Sequence, residues 1–91
     1  MWSESPEKTI MQALGERLRA HRKNRGWTQA ELARRADIGE MTVKRLESEG
    51  QATVANLLRV LRELRLLDAV ESALTPPAPS PLQQLREQRK R

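Results

Sequence analysis

Two short helical patterns meet across a turn of three or four residues between Gln29 and Glu47, and this stretch constrains the fold more than any other part of the chain. Leu32, Ala33 and Ala36 fall on one face of the first pattern, Val43 and Leu46 fall on one face of the second, and Ile38 fills the corner. Two helices that cross at close range need a small residue at the crossing, and Ala33 supplies it. Thr28 followed by Glu31 reads as a capping box that starts the first helix at Gln29. Gly39 caps the second helix, which runs from Glu40 to about Ser48. Asp37 occupies the turn position expected to need a positive φ, which Asp tolerates at some strain.

The rest of the chain extends an all-α pattern to five helices. Ser5 and Pro6 form an N-cap and first-turn pair for a helix that continues to about Asn24, with Ile10, Leu14 and Leu18 as its stripe and Gly26 ending it. Thr53 caps a fourth helix with an apolar face of Leu57, Leu58, Leu61 and Leu64. Leu67, Val70 and Leu74 continue into a fifth, broken from the fourth near Arg65 or Leu66. Period-two alternation is absent, so no strand is expected.

These elements divide the chain into a flexible lead and helix start over residues 1–8, a compact domain over 9–74 with its paired helices at 29–48, and a tail over 75–91. The tail opens with the proline-rich TPPAPSP, an extended and semi-rigid linker. Ser80, Pro81 and Gln83 then offer a further helix start, with Leu82 and Leu85 on one side of a short helix reaching Lys90. A helix of that length orders only on a partner, so Leu82, Leu85, Arg86 and Arg89 are candidate partner-binding residues.

The formal net charge is +5, and it is unevenly placed. Residues 15–26 carry Arg17, Arg19, Arg22, Lys23 and Arg25 against Glu16 alone, and the tail carries Arg86, Arg89, Lys90 and Arg91 against Glu87. The paired helices between Trp27 and Gly50 hold four cations and five anions. Two positive regions flanking a neutral centre suit attraction to a polyanion. Cysteine is absent, which excludes disulfides and thiolate metal sites. No apolar run is long enough to span a bilayer, and a cytoplasmic location is expected. No cofactor and no metal are expected. His21, the only histidine, sits in a basic run far from any catalytic constellation, and Asp37 and Asp68 fit a turn and a helix start, so an enzyme is not expected. Trp27 reads as a packing residue, and Trp2 as a free end or a contact to a partner subunit.

The run LGERLRAHRKNRGWTQAELARRADIGEMTVKRLE, completed by the leucine-rich segment ending at Leu74, resembles the Xre family of lambdoid phage repressors and their bacterial relatives. The resemblance implies a compact five-helix, lambda-repressor-like domain whose helix-turn-helix binds duplex DNA. The segment LLRVLRELRLLDAVESAL and the proline-rich basic tail make the chain similar to HipB-type antitoxins and autorepressors, which pair with a HipA-type kinase toxin. The alternatives are a stand-alone phage-type or cellular repressor, or a protein whose main task is to neutralise a toxin.

Carried over residue by residue, the resemblance puts Glu40, Met41, Thr42 and Arg45 against bases in the major groove, with Arg45 the best match to guanine. Thr28, Gln29, Lys44, Arg22 and Arg25 are the expected phosphate contacts. Arg22 and Glu47 are also expected to form a structural ion pair. A homodimer joined through Leu67, Val70 and Leu74 would place two recognition helices on a near-palindromic operator. Basic residues often follow the recognition helix in related repressors, whereas SEGQAT here has none.

Overall fold

The computed structural model describes residues 1–89, so Lys90 and Arg91, both counted in the basic tail, lie outside the described residues. It contains six helices where five were expected: α1 (Glu7–Asn24), α2 (Gln29–Ala36), α3 (Glu40–Glu49), α4 (Val54–Glu63), α5 (Leu67–Ala73) and α6 (Pro81–Arg89). The sixth is the tail segment, and the Ser80 hydroxyl caps it by accepting the Gln83 amide at 3.1 Å. No residue of α6 is buried. No strand occurs among the described residues.

Local sequence accounts for most helix ends. The Thr28 hydroxyl accepts the Glu31 amide at 3.1 Å and the Thr53 hydroxyl accepts the Asn56 amide at 3.1 Å, each satisfying a free first-turn donor. Asp37 closes α2 in the left-handed region at φ 57°, and Arg65 breaks α4 from α5 at φ 59°. The start of α1 differs from expectation. Pro6 is its N-cap, while the Ser5 hydroxyl turns back to donate to the Met1 carbonyl at 3.0 Å. The lead is likewise not featureless: Trp2–Glu4 form a 3-10 turn, and the Trp2 ring lies under the Arg17 guanidinium, 4.3 Å from the ring centre. A cation over an indole face is attracted by the ring quadrupole, which gives this lead an anchor on α1.

α1 packs on α3, α2 on α3 and α4, and α5 on α4. The core joins Leu18, Leu32, Ala33, Ala36, Val43, Leu46, Val60, Leu61 and Leu64. Burying a side chain the size of Leu32 or Leu46 contributes about 1.5 to 3 kcal/mol, so these few residues supply much of the stability of so small a domain. The phase of α4 needs correction. Val60 is fully buried, whereas Leu58 is 38% exposed. Leu57, Val60, Leu61 and Leu64 form the i, i+3, i+4, i+7 set, and Leu58 lies one residue off that stripe. Ile10 is only half-buried. The residues expected at a dimer surface also divide, since Leu67 and Val70 pack against the chain's own core and Leu74 stays 75% exposed.

Two glycines set how closely α1 approaches α3, a close approach separate from the α2–α3 crossing at Ala33. A Cβ at Gly15 would lie 2.5 Å from the carbonyl oxygens of both Leu46 and Glu47. Gly50 ends α3 at φ 68°, and a Cβ there would overlap the Met11 carbonyl. α1 therefore rests directly on the last turn of α3, and its position fixes that of α3.

Candidate nucleic-acid interface

The inner side of α3 carries Val43, Leu46 and Glu47, all buried. With 3.6 residues per turn, this leaves Met41, Lys44, Arg45, Ser48 and Glu49 on the outward side. Met41 is 70% exposed. Glu40 stands at the first turn, and Thr42 is half-buried at the edge of the face. Arg45 Nε lies 3.9 Å from Glu49 Oε2, and Lys44 Nζ lies 3.9 Å from Glu40 Oε1. Such exposed i,i+4 pairs contribute about 0.3 to 0.5 kcal/mol, too little to hold either cation against a phosphate or a base.

A shallow groove continues this face onto the next helix. Met41, Thr42 and Arg45 form one wall, and Gln51, Ala52, Thr53 and Asn56 form the other. Asn56 was not anticipated from sequence. Its signal was the Thr53 cap, which places Asn56 in the first turn of α4 beside the loop that follows α3. The loop lacks basic residues, so Gln51, Thr53 and Asn56 offer neutral hydrogen-bonding groups there.

Behind the face, one buried polar network sets the pose of α3. Arg22 Nε donates to Glu47 Oε2 at 2.7 Å and Arg22 Nη2 donates to Glu47 Oε1 at 3.0 Å, a bidentate fork between α1 and α3. Arg22 Nη1 donates to the Trp27 carbonyl at 2.7 Å, and Gln29 Nε2 donates to Glu47 Oε1 at 3.0 Å. Among the described residues no buried side-chain polar atom lacks a partner. The Arg22 pKa is raised above its ordinary value because hydrogen bonding to Glu47, with its charge, outweighs the opposing effect of burial. A raised pKa contributes stability that is complete below the unfolded value and is lost only as pH rises through the folded one. For an arginine both lie far above neutrality, so the guanidinium stays charged under physiological conditions.

These bonds change the expected phosphate contacts. Arg22 is buried and its donors point inward, so it cannot also reach a phosphate. Gln29 has turned an amide N–H toward Glu47, because the carboxylate still had a lone pair to fill. Arg25 donates to the Leu64 carbonyl at 3.2 Å, capping the end of α4, and lies 5.3 Å from the Trp27 ring centre. Arg35 covers the same ring at 4.4 Å. Thr28, Lys44 and Arg45 remain exposed. Another arginine outside the sequence reading, Arg59, donates from α4 to the Asp37 carbonyl at 3.0 Å and steadies the left-handed residue of the turn.

The short α2, the left-handed residue, and the α3 braced behind and open in front compose a helix-turn-helix with its second helix free to enter a groove. Comparison with known protein families matches residues 18–71, more than half the chain, to the helix-turn-helix family of the Xre type. The chain belongs to this family. No curated protein matches it. As an Xre-type helix-turn-helix protein it is a DNA-binding transcription regulator. The family match spans α2 to α4, the first five residues of α5 and the part of α1 that carries Arg22. Among the described residues no helix is long and apolar enough to cross a membrane, and no cluster of metal-ligating side chains occurs.

Proposed function

We propose that this Xre-type regulator is a sequence-specific repressor that acts as a homodimer on a near-palindromic operator, reading bases through Glu40, Met41, Thr42 and Arg45. The observation that carries the reading is the outward face of α3, where the Arg45 side chain is 67% exposed and held only by a 3.9 Å contact to Glu49. A planar guanidinium in that position can take both guanine acceptors in the major groove. Met41 and the Thr42 methyl offer apolar contact to a thymine methyl, and Glu40 can accept from a cytosine amino group. Thr28 and Lys44 serve the backbone, and the free amides at the start of α2 favour a phosphate there. Gln29 positions Glu47 and contacts the backbone only if that hydrogen bond opens.

Arg45→Ala is expected to cost about 1 to 3 kcal/mol on the preferred operator and to relax selection at one base pair. Binding measured on an operator and its single-base variants checks this. Equal losses on every duplex would remove Arg45 from base reading.

In its narrower form, the protein is the antitoxin and autorepressor of a HipA-type kinase. The leucine-rich segment from Leu57 to Leu74 followed by a basic tail supports this form. Co-expression with a kinase encoded beside it tests the form: a stable complex that blocks kinase activity supports it, and independent elution of the two proteins opposes it.

A further inference from the structure

Part of the positive charge in residues 15–26 is taken up by the fold itself. Of the five cations in residues 15–26, Arg22 is buried on the Glu47 carboxylate, while the exposed Arg17 lies over Trp2 and the exposed Arg25 donates to the Leu64 carbonyl. Arg19 and Lys23 are left with exposed side chains. The segment between Trp27 and Gly50 carries one more acid than base, so the recognition face gains little from long-range attraction. By sequence, residues 75–91 hold four cations and one acid, and Arg86 and Arg89 are both exposed.

α6 sorts its residues by chemistry. At 100° per residue, Leu82, Leu85, Arg86 and Arg89 occupy an arc of about 100°, while Gln83, Gln84, Glu87 and Gln88 fill the remainder. The single acid thus faces away from both arginines. The helix is capped by Ser80 and buries none of its residues, and residues 75–80 before it are not helical. That linker spans about 19 Å if extended, and α6 adds about 13 Å, which together approach one turn of B-DNA.

We infer that α6 is a second DNA-binding element, an arm that sets Arg86 and Arg89 on backbone phosphates beside the site read by α3. This rests on the duplex-DNA reading proposed above and adds the source of its electrostatic affinity. Charge complementarity selects the occupant. A polyanion meets both arginines with Glu87 turned away, whereas the same face of a second copy would set arginine against arginine.

The test is the salt dependence of binding to a 30-base-pair duplex, using the full chain, a chain ending at Leu74, and the double variants Arg86→Gln/Arg89→Gln and Leu82→Ala/Leu85→Ala. Each lost phosphate contact lowers the magnitude of the slope of log K against log salt by about 0.9, so the arginine double variant is expected to lose about 2 units and the truncation at least as much. The leucine double variant should keep the full-chain slope. Because α6 buries no residue, all of these chains retain the core. Equal slopes for the full and truncated chains overturn the arm and leave the α3 reading in place. A leucine double variant that loses as much as the arginine one also overturns it, since the tail would then dock through apolar contact. Absence of duplex binding by both full and truncated chains at low salt overturns the DNA reading itself.

Discussion

Glu47→Ala is expected to cost about 3 to 5 kcal/mol, the range observed when one partner of a buried ion pair is removed. The variant leaves the buried Arg22 guanidinium with two donors unmatched and frees the Gln29 amide. A domain of this size typically loses about 4 to 8 °C of melting temperature per kcal/mol, so the midpoint should fall by more than about 10 °C. Replacing both partners, Arg22→Met with Glu47→Leu, should recover much of that loss, because no uncompensated charge then remains inside. Thermal melting of the single and double variants measures both effects. An unchanged midpoint for Glu47→Ala would show that the pair does not hold α1 against α3.

The second large effect is expected at Gly50, and Gly26 provides its control. Both have positive φ, 68° and 73°, so alanine meets similar backbone strain at each, on the order of 1 to 2 kcal/mol. Their surroundings differ. A Cβ at Gly26 has nothing within 4 Å, whereas at Gly50 it runs into the backbone of Met11. Overpacking adds about 1 to 3 kcal/mol, so Gly50→Ala should cost about 2 to 5 kcal/mol and Gly26→Ala only the smaller strain. Urea unfolding of the two variants checks the difference. Equal losses would mean that α1 yields freely and does not fix the end of α3.

What could be read in the sequence was local. Thr28, Thr53 and Ser80 act on amides three residues away, and Asp37 declares its turn by being one of the few residues that adopts that backbone. Val43, Leu46, Leu32 and Ala36 followed from helical periodicity. The misplaced features depend on partners distant in the chain. Gly15 matters because the carbonyls of Leu46 and Glu47 pass beside it, and Arg59 matters because Asp37 is there to receive it. The leucines of α4 alone place Leu58 on the apolar face, but the packing of α4 against α2 covers Val60 instead. The resemblance places Gln29 and Arg25 near a phosphate by their position in the motif. Each had a nearer acceptor within the fold, the Glu47 carboxylate for one and the Leu64 carbonyl for the other.

The brace behind α3 shares no residue with its outward face. Glu47, Val43 and Leu46 settle the angle of the helix, while Met41, Lys44 and Arg45 take no part in the core. On the proposed reading, exchanging the latter is expected to alter which operator is chosen while leaving the melting temperature nearly where it was, so that fold and choice of site would vary independently.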